Sequence, residues 1–247
     1  MHKRLRIFAG PNGSGKSTIK KIVEEKVHLG TYINADEIKV TLSRDRNLDF
    51  SLYGLTLHKN HFINTFRKST WSERINDVEH TISQLYFEGN CIKISDSYVL
   101  EDYFVSFIAS YIWDELLESS NKFTVETVMS HPSKLDFIKR AKEKGFKVYL
   151  YFVSLVDPAL NKHRVKTRVQ EGGHDVDEDK IEKRYYRTMN DYLLPALKLS
   201  NEAYLFDNSH GEANMFAIKK GNTLEIQGEY IPTWFFTYVI NKLDNPK

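Results

Sequence analysis

Residues 4–17 read RLRIFAGPNGSGKS. Arg4 to Ala9 has the apolar content of a short buried strand. Gly10 to Gly15 is a glycine-rich turn. From Ser17 onward Ile19, Ile22, Val23 and Val27 recur at helical spacing until Gly30 stops the helix. The pattern Gly10-x4-Gly15-Lys16-Ser17 is that of a phosphate-binding loop, and a strand before it with a helix after it is the context that gives the pattern meaning. Glycines let the chain turn tightly so that successive backbone N–H groups face phosphate oxygens, and the helix N-terminus adds unpaired N–H groups and its positive end. The expected nucleotide contacts are Gly10, Pro11, Asn12, Gly13, Ser14, Gly15, Lys16, Ser17 and Thr18. Lys16 is expected to reach the β- and γ-phosphates of ATP or GTP and to act in catalysis, and the Ser17 hydroxyl to ligate Mg²⁺.

Working outward, strand and helix alternate. TYINADEI (31–38) reads as a second strand with Asp36 and Glu37 at its edge, and KFTVETVMS (122–130) as a third. SKLDFIKRAKEKG (133–145) reads as a helix stopped by Gly145. FKVYLYFVSLV (146–156) is the most apolar strand and is expected at the centre of the sheet. Helices follow over about 158–170 and 178–200, and EAYLFDNS (202–209) is a fifth strand. Residues 214–228 read as a hairpin around Gly221-Asn222, and 232–243 as a closing helix with Pro232 near its first turn. This order predicts an α/β protein with the P-loop NTPase, kinase-like fold: a mainly parallel sheet flanked by helices, with a C-terminal hairpin plus helix. A single domain over 1–247 is expected, with a helical insertion at about 48–97 whose CIKISDS (91–97) is a strand or an extended linker. DYFVSFIASYIWDELLES (102–119) is a strongly amphipathic helix. Cys91 reads as a small core residue.

Composition narrows the class. Of 247 residues 41% are apolar and 28% charged, the balance of a globular protein, and the net charge of +2 supplies no basic field for nucleic acid. One cysteine excludes an internal disulfide framework. No apolar run approaches a membrane span, so a cytoplasmic protein is expected.

Phosphoryl transfer needs a group that takes the acceptor's proton and positive charge on the transferring group. In open α/β sheets ligands lie beyond the C-terminal strand ends. There stand Asn34-Ala35-Asp36, Glu126-Thr127 and Asp207-Asn208-Ser209. Asp36 is the candidate catalytic base, Glu126 the candidate holder of the acceptor or of a magnesium-bound water, and Thr127 a hydrogen-bonding partner of the acceptor. Helix or turn capping is the competing reading for all three groups. Residues 163–188 carry Arg164, Arg168, Arg184 and Arg187 around Gly172-Gly173, the make-up of two helices and a turn that close over phosphates. Arg168 and Arg184 are the candidate catalytic arginines, against a solvated charged face. His174 has no companion at metal-ligand spacing and reads as a turn residue or acceptor contact.

Assembled, FAGPNGSGKST (8–18), YINADEI (32–38), residues 123–155, residues 164–188 with their GGH, and AYLFDNS (203–209) resemble the zeta toxin family, in its compact bacterial branch. The resemblance implies a kinase-like P-loop fold and phosphorylation of a small-molecule hydroxyl with ATP or GTP, in the better-known members the sugar of UDP-N-acetylglucosamine, with an antitoxin as partner. It implies Asp36 as base, Lys16 as phosphate lysine, Glu126 and Thr127 as the acceptor-binding pair, and Arg168 and Arg184 as phosphate arginines. Asp177 stands where this branch carries proline, and residues 50–95 have no counterpart. Three other readings stand beside it: a P-loop ATPase or switch without an acceptor, a nucleic-acid end kinase, against which the weak net charge argues, and a toxin module defined by its protein partner.

Overall fold

The computed structural model describes residues 2–173 and 175–244; His174, and with it the expectation placed on it, lies outside the described residues. The strands are β1 (Lys3–Ala9), β2 (Thr31–Ile33), β3 (Asn47–Asp49), β4 (Leu85–Glu88), β5 (Cys91–Ile94), β6 (Lys122–Thr127), β7 (Phe146–Ser154), β8 (Glu202–Asp207), β9 (Asn214–Lys220) and β10 (Thr223–Ile226). The main helices are α1 (Lys16–Glu24), α2 (Ala35–Asp45), α3 (Lys59–Lys68), α4 (Val78–Ser83), α5 (Asp102–Ser119), α6 (Ser133–Glu143), α7 (Pro158–Gln170), α8 (Glu178–Arg187) and α9 (Leu193–Leu199), followed by a closing helical run over 233–244. The chain forms two compact units, Met1–Gly30 with Thr124–Lys247, and Thr31–Phe123.

In the larger unit the strand order is β10-β9-β8-β7-β1-β6. β7 pairs parallel with β1 on one side and with β8 on the other, Phe152 lying opposite Ala9 and Leu205. The central position expected for residues 146–156 follows from their composition. Val148, Leu150, Phe152 and Val153 are at most 1% exposed, because helices bury both faces of a parallel strand. β9 returns antiparallel to β8, and β10 antiparallel to β9, the hairpin turning at Gly221 as the sequence indicated. α1 packs on β1 and β7 and buries Ile19 and Val23. It ends at Glu24, a turn earlier than the apolar spacing suggested; Val27 still bonds back to Val23 through its N–H. The helix expected over 178–200 is continuous but widens to a π turn over Thr188–Tyr192. Pro195 lies just beyond, lacks an N–H and crowds the carbonyl four residues back, which accounts for the loosened turn.

The smaller unit corrects the helical reading of 48–97. α3 and α4 are present, but β3, β5 and β4 form an antiparallel sheet, and residues 85–88, read as helix, are strand. Gly89, with φ 57°, and Asn90 make the turn between β4 and β5. Asn90 fixes the neighbouring loop, its Nδ2 donating to Ser51 Oγ and the Leu55 carbonyl and its Oδ1 accepting from the Leu57 N–H. On β5 it is Ile92 and Ile94 that are buried, so the alternation places Cys91 on the opposite face, half-buried and free, not in the core. The core here is a knot of rings. Phe62 lies 5.1 Å from Phe107 and 5.0 Å from Tyr111, and Phe66 lies 4.7 Å from Phe107. The amphipathic spacing of α5 is borne out by the burial of Phe104, Phe107, Ile108, Tyr111, Ile112, Leu116 and Leu117.

Candidate active site

The loop is held in the larger unit between the end of β1 and the start of α1. Gly13 and Gly15 adopt φ of 73° and 98°, which side-chain-bearing residues rarely do. Each also abuts an asparagine. A Cβ on Gly13 would sit 2.7 Å from the Asn161 carbonyl oxygen, and one on Gly15 would sit 2.2 Å from Asn208 Nδ2. Asn161 Nδ2 donates to the Asn12 carbonyl at 2.6 Å, and Asn208 Nδ2 donates to the Ser14 carbonyl at 3.0 Å. Lys16, 9% exposed, lies along the loop with Nζ 3.1 Å from the carbonyls of Gly10 and of Pro11. Ser17 and Thr18 are exposed in the first turn of α1.

At the end of β6, Glu126 Oε1 lies 4.0 Å from Lys16 Nζ, both side chains being 9% exposed. Loop lysine and strand-end carboxylate thus meet. Thr127 Oγ1 accepts the Met129 N–H at 3.1 Å, and Met129 is held at φ 60°, a strained value for a residue with a long side chain. Thr188 Oγ1 donates to the Val128 carbonyl, which ties the end of β6 to the helices beyond α8.

The third strand end behaves differently. Asp207 is 2% exposed and accepts from Trp234 Nε1 at 2.9 Å, Ser209 Oγ at 2.8 Å and Tyr230 hydroxyl at 3.2 Å. This carboxylate fastens the C-terminal segment to the sheet. Ser209 Oγ accepts the Val156 N–H.

Residues 158–187 form two helices with Gly172-Gly173 between them. Lys162 Nζ and Glu182 Oε2 bridge α7 to α8 at 2.6 Å. Gly173 donates its N–H to the Arg168 carbonyl at 2.8 Å and packs against that arginine's stem. Arg168 and Arg184 are half-buried, whereas Arg187 is exposed. Arg164 is drawn toward the loop, its Nη2 donating to the Asn208 carbonyl at 2.6 Å. Asp177 caps α8 by accepting the Lys180 N–H, which explains how an acidic residue serves where the resembling branch has proline. Tyr185 donates its hydroxyl to the Leu155 carbonyl at 2.9 Å; its burial pushes the phenol pKa up.

Asp36 belongs to the smaller unit. It is exposed in the first turn of α2, three residues beyond β2, and its N–H donates to Asn34 Oδ1, the helix N-cap, at 2.9 Å. Burial, together with Glu37 of the same helix, raises the Tyr53 phenol to about 12.

Asn161 and Asn208 were not singled out as loop partners from sequence. Asn161 is fully buried on the stripe of α7 formed with Pro158 and Val165, and an asparagine at an apolar position was the one signal available.

Comparisons with known proteins bear on this arrangement. The zeta toxin family model matches residues 92–194. That stretch holds Glu126, Thr127, Arg168 and Arg184; the loop and Asp36 lie outside it. An uncharacterized protein of Haemophilus influenzae is 38% identical over 63 residues, covering 26% of this chain and 45% of that protein. A crystal structure of AvrRxo1-ORF1:-ORF2 with ATP superposes with a TM-score of 0.51 at 16% identity, covering 92% of this chain and 61% of that one. The same complex with sulphate ions gives 0.50 at 18%, with the same coverage. The resemblance to the zeta toxins is therefore shown over residues 92–194, and an α/β fold like that of the AvrRxo1-ORF1:-ORF2 structures over nearly the whole chain. This chain spans less than two thirds of the length of these relatives. Among the described residues no helix is long and apolar enough to cross a membrane.

Proposed function

From a chain that resembles the zeta toxins over residues 92–194, we propose that the protein is an ATP- or GTP-dependent phosphotransferase acting on a hydroxyl of a small molecule, a nucleotide-sugar such as UDP-N-acetylglucosamine being the first candidate. The observation that carries the reading is the approach of Lys16 Nζ to within 4.0 Å of Glu126. A residue of the phosphate loop and one of the expected acceptor-binding pair stand side by side.

In this reading Gly10 to Thr18 wrap the triphosphate and Lys16 neutralises its β- and γ-oxygens. Glu126 and Thr127 hold the acceptor. Asp36 takes the proton from the acceptor hydroxyl, whose oxygen forms the new bond to the γ-phosphorus. The bond from that phosphorus to the β,γ-bridging oxygen breaks, and its electrons leave with the nucleoside diphosphate. Arg168 and Arg184 stabilise the charge on the phosphoryl group in flight, a contribution of about 10³–10⁵ in rate where one arginine carries it. The exposed Ser17 hydroxyl in the first turn of α1 is a hard oxygen donor of the kind Mg²⁺ takes together with phosphate oxygens. A magnesium ion bound there would lower the charge of the β- and γ-phosphates. An antitoxin protein as partner belongs to the same reading.

The test is label transfer from γ-labelled ATP to a panel of nucleotide-sugars and small metabolites, with Asp36→Asn beside the wild type. Transfer by the wild type and its loss in the variant are expected. Label on no acceptor, with equal phosphate release from both proteins, would refute the kinase in favour of an ATPase.

A further inference from the structure

We infer that Asn161 and Asn208 are positioning residues for triphosphate binding, each setting the direction of one loop N–H by gripping the carbonyl of the same peptide unit. The inference rests on the triphosphate reading above and gives a role to two residues to which neither the loop pattern nor the resemblance assigns one.

In a trans peptide the C=O of one residue and the N–H of the next are fixed in one plane and point in opposite directions. Asn161 Nδ2 holds the Asn12 carbonyl, which directs the Gly13 N–H the other way. Asn208 Nδ2 holds the Ser14 carbonyl, which directs the Gly15 N–H the other way. Both units end in a glycine at positive φ, so the planes are free to take the orientation the amides impose. Backbone N–H groups turned inward in this manner make an anion-binding concavity. Without the amides, the same carbonyls would turn toward a bound phosphate at little conformational cost, and a carbonyl oxygen beside a phosphate repels it.

The two asparagines are themselves fixed. Asn161 is fully buried on α7, and Asn208 is 5% exposed. Asn208 donates its N–H to the Ser154 carbonyl at 3.1 Å, while its own carbonyl accepts from Arg164 Nη2. Arg164 and Asn161 both lie on α7, so one helix holds the first asparagine directly and the second through the guanidinium. The helix that carries Arg168 is thereby anchored, near its start, to the loop. This gives Arg164 a role distinct from that expected of an arginine touching phosphate.

The experiment measures binding of Mg²⁺-ATP and of inorganic tripolyphosphate to wild type, Asn161→Ala, Asn208→Ala and Arg164→Ala by calorimetry, with the unliganded melting temperature of each. Loss of either asparagine donor should weaken both ligands by the same factor, about tenfold, because a hydrogen bond of this kind is worth about a decade in affinity. Arg164→Ala should give about a threefold loss, as only the brace is removed. A purely structural amide would lower the melting temperature and leave the affinity of the folded protein for tripolyphosphate unchanged; that result overturns the inference. Asn161→Ala opens a buried site, so if it does not fold Asn208→Ala decides alone. Wild-type protein that binds neither ligand would instead overturn the triphosphate reading itself. Wild type that binds both, with folded variants that bind equally well, would overturn the positioning role alone.

Discussion

Glu126 and Asp207 occupy comparable places, each at or next to the last residue of a strand in the larger sheet, and in the sequence both read as polar punctuation after an apolar run. Their surroundings differ. Asp207 is enclosed by an indole N–H, a phenol and a serine hydroxyl, all neutral donors from the protein itself. Glu126 faces the ammonium group of Lys16. A carboxylate provided with neutral donors holds structure together, because removing it leaves buried donors unpaired. On the reading proposed above, a carboxylate set beside the lysine of the phosphate loop stands where a substrate's charge would change. Position at a strand end is thus shared by both, and the chemistry of the partners separates them.

That separation can be tested from its strongest side. Lys16→Ala should reduce nucleotide turnover by about 10³-fold or more, measured as phosphate release or transfer, since it removes the loop's principal positive charge. Glu126→Gln should cost about 10² in kcat/KM for the acceptor, with a melting temperature close to the wild type. Loss of stability without loss of activity would place Glu126 with Asp207 and break the comparison. Asp207→Ala should do the reverse. About 2 kcal/mol of unfolding free energy should disappear in urea titrations, as Trp234 Nε1 and the Ser209 hydroxyl lose their acceptor, while tripolyphosphate affinity of the folded protein stays within about threefold. Trp234→Phe, which removes one donor and keeps an aromatic ring, should cost about 1 kcal/mol by the same measurement.

The smallest effect concerns pH. Burial and Glu37 raise the Tyr53 phenol from its usual 10.0 to about 12 in the folded protein. The neutral phenol is favoured by folding, so its contribution is fully present below about pH 10 and is lost as pH rises through 12. The urea midpoint should therefore fall between pH 10 and 12, and Tyr53→Phe should flatten that decline. An unchanged slope in the variant would show that this tyrosine does not carry it.

Much of the larger unit was legible because its signals are local. The loop pattern sits between a strand and a helix, and the apolar density of 146–156 marks a strand buried on both faces. The smaller unit was harder for a physical reason. Its strands are three or four residues long, too short for alternation to outweigh the helical spacing around them, and Gly89-Asn90 was the one turn signal that separates β4 from β5. α2 was also missed, although Asn34 followed three residues later by Glu37 is a helix-start signature. In the candidate site the loop, Lys16 and Glu126 were readable as residue types. Asn161 was not, since its function depends on a carbonyl 149 positions away in the chain.

The same separations have a consequence in time. Ser14 is bonded by Asn208, 194 residues later, and β1 takes its sheet neighbours from β6 and β7, both far downstream. At about 5–20 residues per second a ribosome needs roughly 10–40 s to travel from one to the other. The loop is therefore synthesised well before the two asparagines that brace it, which follow 149 and 194 residues later.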